Sequence, residues 1–270
     1  MFFSICPEMM YPKLKLESRV AKVAKHGFTY VDIWDWRIRD LDELQRELKK
    51  NDVKLNAFGG HRDTSTSRAS EKAGFMKELR ASVDIAERFE CDQLIIFSDG
   101  IQPAIAGTDP PIMPARLNKI PAKEKVRNIE EAFGDAAALA EKSGITLLVE
   151  ALNEIDHPDY FLSKSGLTFE IIKEVKSKNL KMLYDIYHMQ RSEGDIIHTL
   201  TENLDLVGYI HFADSPGRGE PGTGELDLEN ILKALDGLEY PRGFGFEYSP
   251  RGPDDKTLDQ VREIVSPYQA

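Results

Sequence analysis

The chain has 270 residues, 41% of them hydrophobic and 30% charged, with a formal net charge of −11. That size and apolar content suit one α/β domain with a large core. The acidic balance, with a pI near 5.1, argues against a nucleic-acid partner or an anionic membrane surface, because phosphate binding needs an electropositive face.

Two cysteines far apart in sequence, Cys6 and Cys91, do not make a disulfide framework, so a reducing cytoplasmic setting is expected. The N-terminal segment MFFSICPEMMYP lacks a basic start, and Pro7 and Glu8 break its apolar run. It does not read as a signal peptide. No run approaches the roughly 18 apolar residues that read as a membrane span.

Strand-like and helix-like segments alternate along the chain. The first predicted strand is Phe2–Cys6, followed by a helix over Glu17–Lys25 with Val20, Val23 and Ala24 on its apolar face. Then come Tyr30–Trp34 with a helix over Leu41–Lys49, Lys54–Phe58 with Glu71–Phe89, and Gln93–Phe97 with Lys123–Lys142. Strands Thr146–Glu150, Lys181–Asp185 and Gly208–Phe212 precede helices Gly166–Lys176, Gly194–Asn203 and Asp227–Leu238; Gly243–Tyr248 is the last strand. The strands are short apolar runs of the kind buried on both faces. The pairs His26-Gly27, Ser143-Gly144 and Asp236-Gly237 read as helix stops, glycine being the residue that most easily turns left-handed there.

Eight strands in βα rhythm predict a (β/α)8 TIM barrel over residues 1–270 as a single domain. A doubly wound open sheet is the competing arrangement. No GxGxxG follows the first strand and no GxxxxGK[ST] occurs, which weakens its nucleotide-binding versions. The proline-rich segment 99–121 follows the fourth strand, and its length predicts a lid or an oligomer contact.

The chemistry sits at the strand ends. Glu150, Asp185, His211 and Glu247 close or nearly close four successive strands, about 35, 26 and 36 residues apart. In a parallel barrel all strand C-termini open on one face, so these four side chains should converge there. Three carboxylates and an imidazole suit one divalent cation, Mn²⁺ or Mg²⁺ with Co²⁺ as a further choice, completed by water or substrate. His188, three residues past Asp185, and Arg218, in the loop ADSPGRGEPGTGE, should project over that cation. The structural alternatives are a hydrogen bond from His188 to a neighbouring carboxylate and a salt bridge from Arg218 to Glu220. Trp34, Phe58 and Phe97 are candidate walls of an apolar pocket, and His61 is a candidate substrate contact. Arg62 and Arg116 are candidate contacts for a substrate carboxylate, with helix-surface or loop roles as the favoured alternative.

The segments LLVEALN (147–153), HPDYFL (157–162), YDIYHMQRSEGD (184–195), IHFADSPGRGEPGTGELD (210–227) and FEYSPRG (246–252) resemble the hydroxypyruvate isomerase family of xylose-isomerase-like barrels. The resemblance is strong over the C-terminal half and weaker before it. It implies Glu150, Asp185, His211 and Glu247 as metal ligands and Glu150 with Glu247 as the proton-transferring pair. It implies His188 and Arg218 at the substrate's carbonyl end, and a homo-oligomer. The implied reaction converts hydroxypyruvate to tartronate semialdehyde through an enediolate. Bacterial members usually carry glutamine at the strand-seven ligand position. His211 there is similar to ketose 3-epimerases, so a keto acid and a ketose of the tagatose or psicose type both stand as substrates. A keto-sugar lyase or deglycosidase subunit is a further alternative.

Overall fold

A computed structural model describes residues 1–269. Eight parallel strands close into a barrel in sequence order: β1 (Phe2–Ile5), β2 (Tyr30–Ile33), β3 (Lys54–Gly59), β4 (Gln93–Ile96), β5 (Thr146–Glu150), β6 (Leu180–Asp185), β7 (Val207–Phe212) and β8 (Gly243–Phe246), with β8 pairing back onto β1. The helices are α1 (Leu16–Lys25), α2 (Leu41–Lys50), α3 (Lys72–Arg88), α4 (Ala122–Ser143), α5 (Ser165–Val175), α6 (Ile186–Ser192), α7 (Ile196–Asn203), α8 (Leu228–Gly237) and α9 (Asp254–Val265).

The apolar runs work as expected for strands covered on both sides. Outward residues such as Val31, Leu94, Leu147 and Met182 pack under the helices in one continuous core. Ala57, Ile95, Leu148, Leu183 and Tyr209 form a separate apolar cluster inside the barrel. Each fully buried Leu or Ile side chain contributes about 1.5–3 kcal/mol relative to exposure.

The barrel interior also carries a polar knot. The Asp32 carboxylate accepts from Ser4 Oγ (2.5 Å), Tyr209 Oη (2.7 Å) and Asn56 Nδ2 (2.9 Å). Gly245 of β8 makes room for it. A Cβ there would collide with the Tyr209 hydroxyl, Asp32 Oδ2 and His211 Cδ2, so the close approach requires glycine.

Several predicted boundaries shift. β1, β2 and β4 stop one residue earlier than expected, and β3 runs one further, through Gly59. β8 ends at Phe246, so Glu247 lies just beyond it. The ladder still reaches Glu247, whose N–H donates to Phe212 O at 3.0 Å. The predicted stop at Gly237 is incorrect: α8 includes that residue, and Glu239 takes the left-handed backbone with φ +53°. Gly27 and Gly144 do adopt positive φ at helix ends. Two helices escaped the reading. α6 starts directly at β6, with Asp185 accepting the His188 N–H as its N-cap, and α9 begins after Pro253.

Candidate active site

Glu150 ends β5, Asp185 ends β6, His211 lies one residue from the end of β7, and Glu247 follows β8. Pairing places Asp185 beside His211 and His211 beside Gly245. The four side chains are buried, and one potential ligand atom from each lies within 4.8 Å of every other. Among the described residues, neither ring nitrogen of His211 has an aligned hydrogen-bond partner, although Nδ1 is 3.1 Å from Glu247 Oε2 and Nε2 is 3.5 Å from Asp32 Oδ2. A buried imidazole beside carboxylates without hydrogen-bonding alignment is the arrangement expected of groups sharing a cation. The donor set of three carboxylates and one imidazole therefore fits a divalent metal.

The two glutamates differ in their surroundings. Glu247 is anchored: Trp34 Nε1 donates to its Oε1 at 2.5 Å, and Arg218 Nη2 lies 3.2 Å from the same oxygen. Burial pushes its pKa up, but Arg218, His211 and Trp34 prevail and bring it down to about 2. The Glu150 carboxylate accepts no hydrogen bond among the described residues. Burial, then Glu247 and Asp185, raise its pKa to about 8. Burial also raises the pKa of Asp185. Burial opposes a charge on His211, yet Asp32 and Glu247 outweigh it and hold its pKa well above the usual value.

A cavity of about 370 Å³ opens above these groups. Its polar wall holds His188, His157 and Arg218; its apolar wall includes Ile33, Trp34, Ile38, Phe97 and Met113. Arg218 is buried, adopts a left-handed backbone at φ +55°, and lies 5.2 Å above the Tyr187 ring. Its partner is Glu247 and not Glu220, whose carboxylate instead accepts from the Arg251 and Gly252 N–H groups. The Arg218 Nε and Nη1 have no partner among the described residues. His188 Nδ1 faces Asn153, and its Nε2 lies 3.8 Å from Asp185 Oδ2.

Other expectations shift. His61 lines the cavity, and its Nε2 accepts the Phe97 N–H at 2.9 Å. Phe58 is fully buried in the core and is not a pocket wall, because its side chain points outward from β3. Arg62 pairs with Asp35 at 3.1 Å and Arg116 with Glu71 at 2.5 Å. The proline-rich segment folds back through a bridge between Ile101 and Ala115, and its Ile101, Pro103, Ala104 and Met113 line the cavity.

Two residues at the site went unread in the sequence. Asp32 sits mid-strand in YVDI, where a charge in an apolar run is itself a signal of a buried polar contact. His157 follows Asp156 in a loop, and nothing local distinguishes it from a surface histidine.

The family model described as xylose isomerase-like TIM barrel matches residues 20–266, which places the chain in that class of barrels. The chain is similar to the hydroxypyruvate isomerase of Escherichia coli (strain K12), at 30% identity over 92% of this chain and 93% of the relative. It is also similar to the 2-oxo-tetronate isomerase of Cupriavidus necator, at 31% identity over 95% and 96%. A crystal structure of an AP endonuclease, family 2, from Brucella melitensis shares the fold, with a TM-score of 0.86 and 24% identity over 100% of this chain and 99% of that one. The chain belongs to the hydroxypyruvate isomerase family, and with it to the isomerases.

Proposed function

We infer that the protein moves a proton between adjacent carbons of a small 2-keto acid, interconverting hydroxypyruvate and tartronate semialdehyde or acting on a close hydroxylated relative. Glu150, Asp185, His211 and Glu247 would hold one divalent cation, Mn²⁺, Mg²⁺ or Co²⁺. The observation that carries this reading is the convergence of those four side chains within 4.8 Å of one another, beneath donors on Arg218 and His188 that have no partner among the described residues. The proposal to place this protein among keto-acid isomerases also follows its relatives, named for hydroxypyruvate and 2-oxo-tetronate.

A bound dication would supply Lewis-acid stabilisation of the negative charge that develops on the carbonyl oxygen. The chain's own groups do the rest. Arg218 and His188 donate hydrogen bonds to oxygens at the carbonyl end, where charge grows in the transition state. A carboxylate takes the proton from the hydroxyl-bearing carbon and returns it to the former carbonyl carbon, while the hydroxyl proton passes to the carbonyl oxygen. Glu150 is the better placed carrier, because no hydrogen bond restrains its carboxylate. Glu247 is held by Trp34 and Arg218 and fixes the opposite side. The apolar wall keeps water from protonating the enediolate at the wrong moment.

Ketose 3-epimerisation is the second reading, favoured by the imidazole at position 211. It needs a proton carrier on each face of one carbon, and Glu150 and Glu247 come from the end of β5 and from the residue just past β8.

The test is incubation of Mn²⁺-, Mg²⁺- or Co²⁺-loaded protein in D₂O with hydroxypyruvate, 2-oxo-tetronate, D-fructose, D-tagatose and D-psicose, followed by proton NMR. An isomerised keto acid supports the first reading. Deuterium at C3 of an epimerised ketose supports the second. Elimination products, or no reaction with any of the five, would overturn both.

A further inference from the structure

His157 lines the cavity, and its contacts fix which of its ring nitrogens is an acceptor. Its Nδ1 lies 3.0 Å from the main-chain carbonyl oxygen of Met113. A carbonyl only accepts, so Nδ1 carries the proton, and in the neutral ring Nε2 is left as a lone pair. That Nε2 is buried and has no partner among the described residues. Burial, followed by the charge of Arg218, lowers the ring's pKa to about 4, so the neutral form prevails at neutral pH.

His188 has the opposite tautomer. Its Nδ1 receives the Asn153 side-chain amide at 2.7 Å and the Asn153 N–H at 3.3 Å. The amide's orientation is set independently, because Asn153 Oδ1 accepts from the N–H groups of Ile155 and Asp156 while Nδ2 also donates to Asp156 Oδ2. His188 Nε2 therefore carries hydrogen and is a free donor. The two rings lie 5.2 Å apart on the same wall of the cavity.

This wall thus offers donors at His188 and Arg218 and, next to them, one acceptor. Carbonyl and carboxylate oxygens satisfy the donors. The acceptor requires an O–H. In hydroxypyruvate the single hydroxyl belongs to the reacting carbon, so no hydroxyl is left for His157. A polar site left unpaired in a buried pocket discriminates strongly against a ligand lacking the matching group.

We propose that His157 is a specificity-determining residue that accepts a hydrogen bond from a hydroxyl beyond the reacting centre, so that the preferred substrate is a hydroxylated keto acid or ketose of at least four carbons. This rests on the isomerase reading above and narrows its substrate class.

The kinetic test compares hydroxypyruvate, 3-hydroxy-2-oxobutanoate and 3,4-dihydroxy-2-oxobutanoate, which differ only in the group carried by the reacting carbon: hydrogen, methyl or hydroxymethyl. The hydroxymethyl compound should exceed the methyl one in kcat/KM by roughly 10-fold or more. His157→Phe should abolish that ratio, and His157→Gln, which retains an acceptor, should restore part of it. Equal turnover of the methyl and hydroxymethyl compounds, or turnover of hydroxypyruvate alone, would keep the isomerase reading and overturn this proposal. Should none of the three react, the isomerase reading is what fails, and the ring can still be read directly. Nitrogen-15 NMR of the wild-type protein should report His157 protonated at Nδ1, with its Nε2 resonance moved by 2,3,4-trihydroxybutanoate. An Nε2–H tautomer, or no response to that compound, would overturn the assignment.

Discussion

Asp32 Oδ2 lies 3.5 Å from Nε2 of His211, on the ring edge opposite the nitrogen that faces Glu247. The carboxylate is itself fixed by Ser4, Tyr209 and Asn56. A carboxylate behind a ligating imidazole sets the ring's orientation and tautomer, and removing such a partner typically costs 10–100-fold in metal affinity. Asp32→Asn should therefore weaken Mn²⁺ binding by about that factor, measured by competition against a fluorescent chelator. Affinity equal to wild type would show that Asp32 serves only the barrel interior.

The two glutamates should respond differently to amide substitution. Glu247→Gln keeps the size of the side chain but loses charge against Arg218 and His211. Turnover should vanish while metal binding is weakened and not lost. Glu150→Gln should lower kcat by about 10²–10⁴-fold, the range of general acid–base contributions, and should slow deuterium incorporation from D₂O in parallel. Wild-type exchange in Glu150→Gln would remove it from the proton path.

Arg218→Ala leaves the Glu247 carboxylate without its guanidinium and the carbonyl end of a substrate without a charged donor. kcat/KM should fall by about 10²-fold or more, with kcat sharing the loss, as expected for a donor that strengthens in the transition state. Arg218→Lys should recover little of it, because an ammonium lacks the planar fork. Unchanged kinetics would leave Arg218 with only its contact to Glu247.

The buried His61 gives a pH signature. Burial chiefly lowers its pKa to about 4, against about 6.5 in an unfolded chain. Between those values the unfolded state binds more protons than the folded one, so stability falls as pH drops through that window. The loss is on the order of a few kcal/mol for a fully buried ring. Glu150, with its raised pKa, slopes the other way, so the comparison must isolate His61. The Tm difference between wild type and His61→Gln should shrink as pH goes from 7 to 4.5. A constant difference would mean that the ring stays neutral in both states or charged in both.

The barrel and the four side chains that converge at its mouth were legible along the chain because both rest on local, repeated features. Short apolar runs ending in a carboxylate or imidazole recur at βα spacing, and parallel closure sends every strand end to one face. α9 was equally legible: Leu258, Val261 and Val265 fall at helical spacing after Pro253, and the pattern went unread. The Asp236-Gly237 stop misled because α8 takes in Gly237 as its last residue, and the left-handed backbone falls at Glu239 instead.

The tertiary structure alone decided the polarity of the site. Whether a nitrogen donates or accepts depends on its partner, and the partners come from elsewhere in the chain: Met113 for His157, Asn153 for His188, Phe97 for His61. Asp32 meets its hydroxyl partner Tyr209 across 177 residues of sequence. Sequence periodicity names the strand an acidic residue occupies. It carries no record of which side chain closure brings against it, because that contact forms only when β8 returns to β1 and encloses the interior. The amino-acid order thus determined which residues reach the mouth of the barrel, and folding determined which of their atoms are left free to meet a substrate.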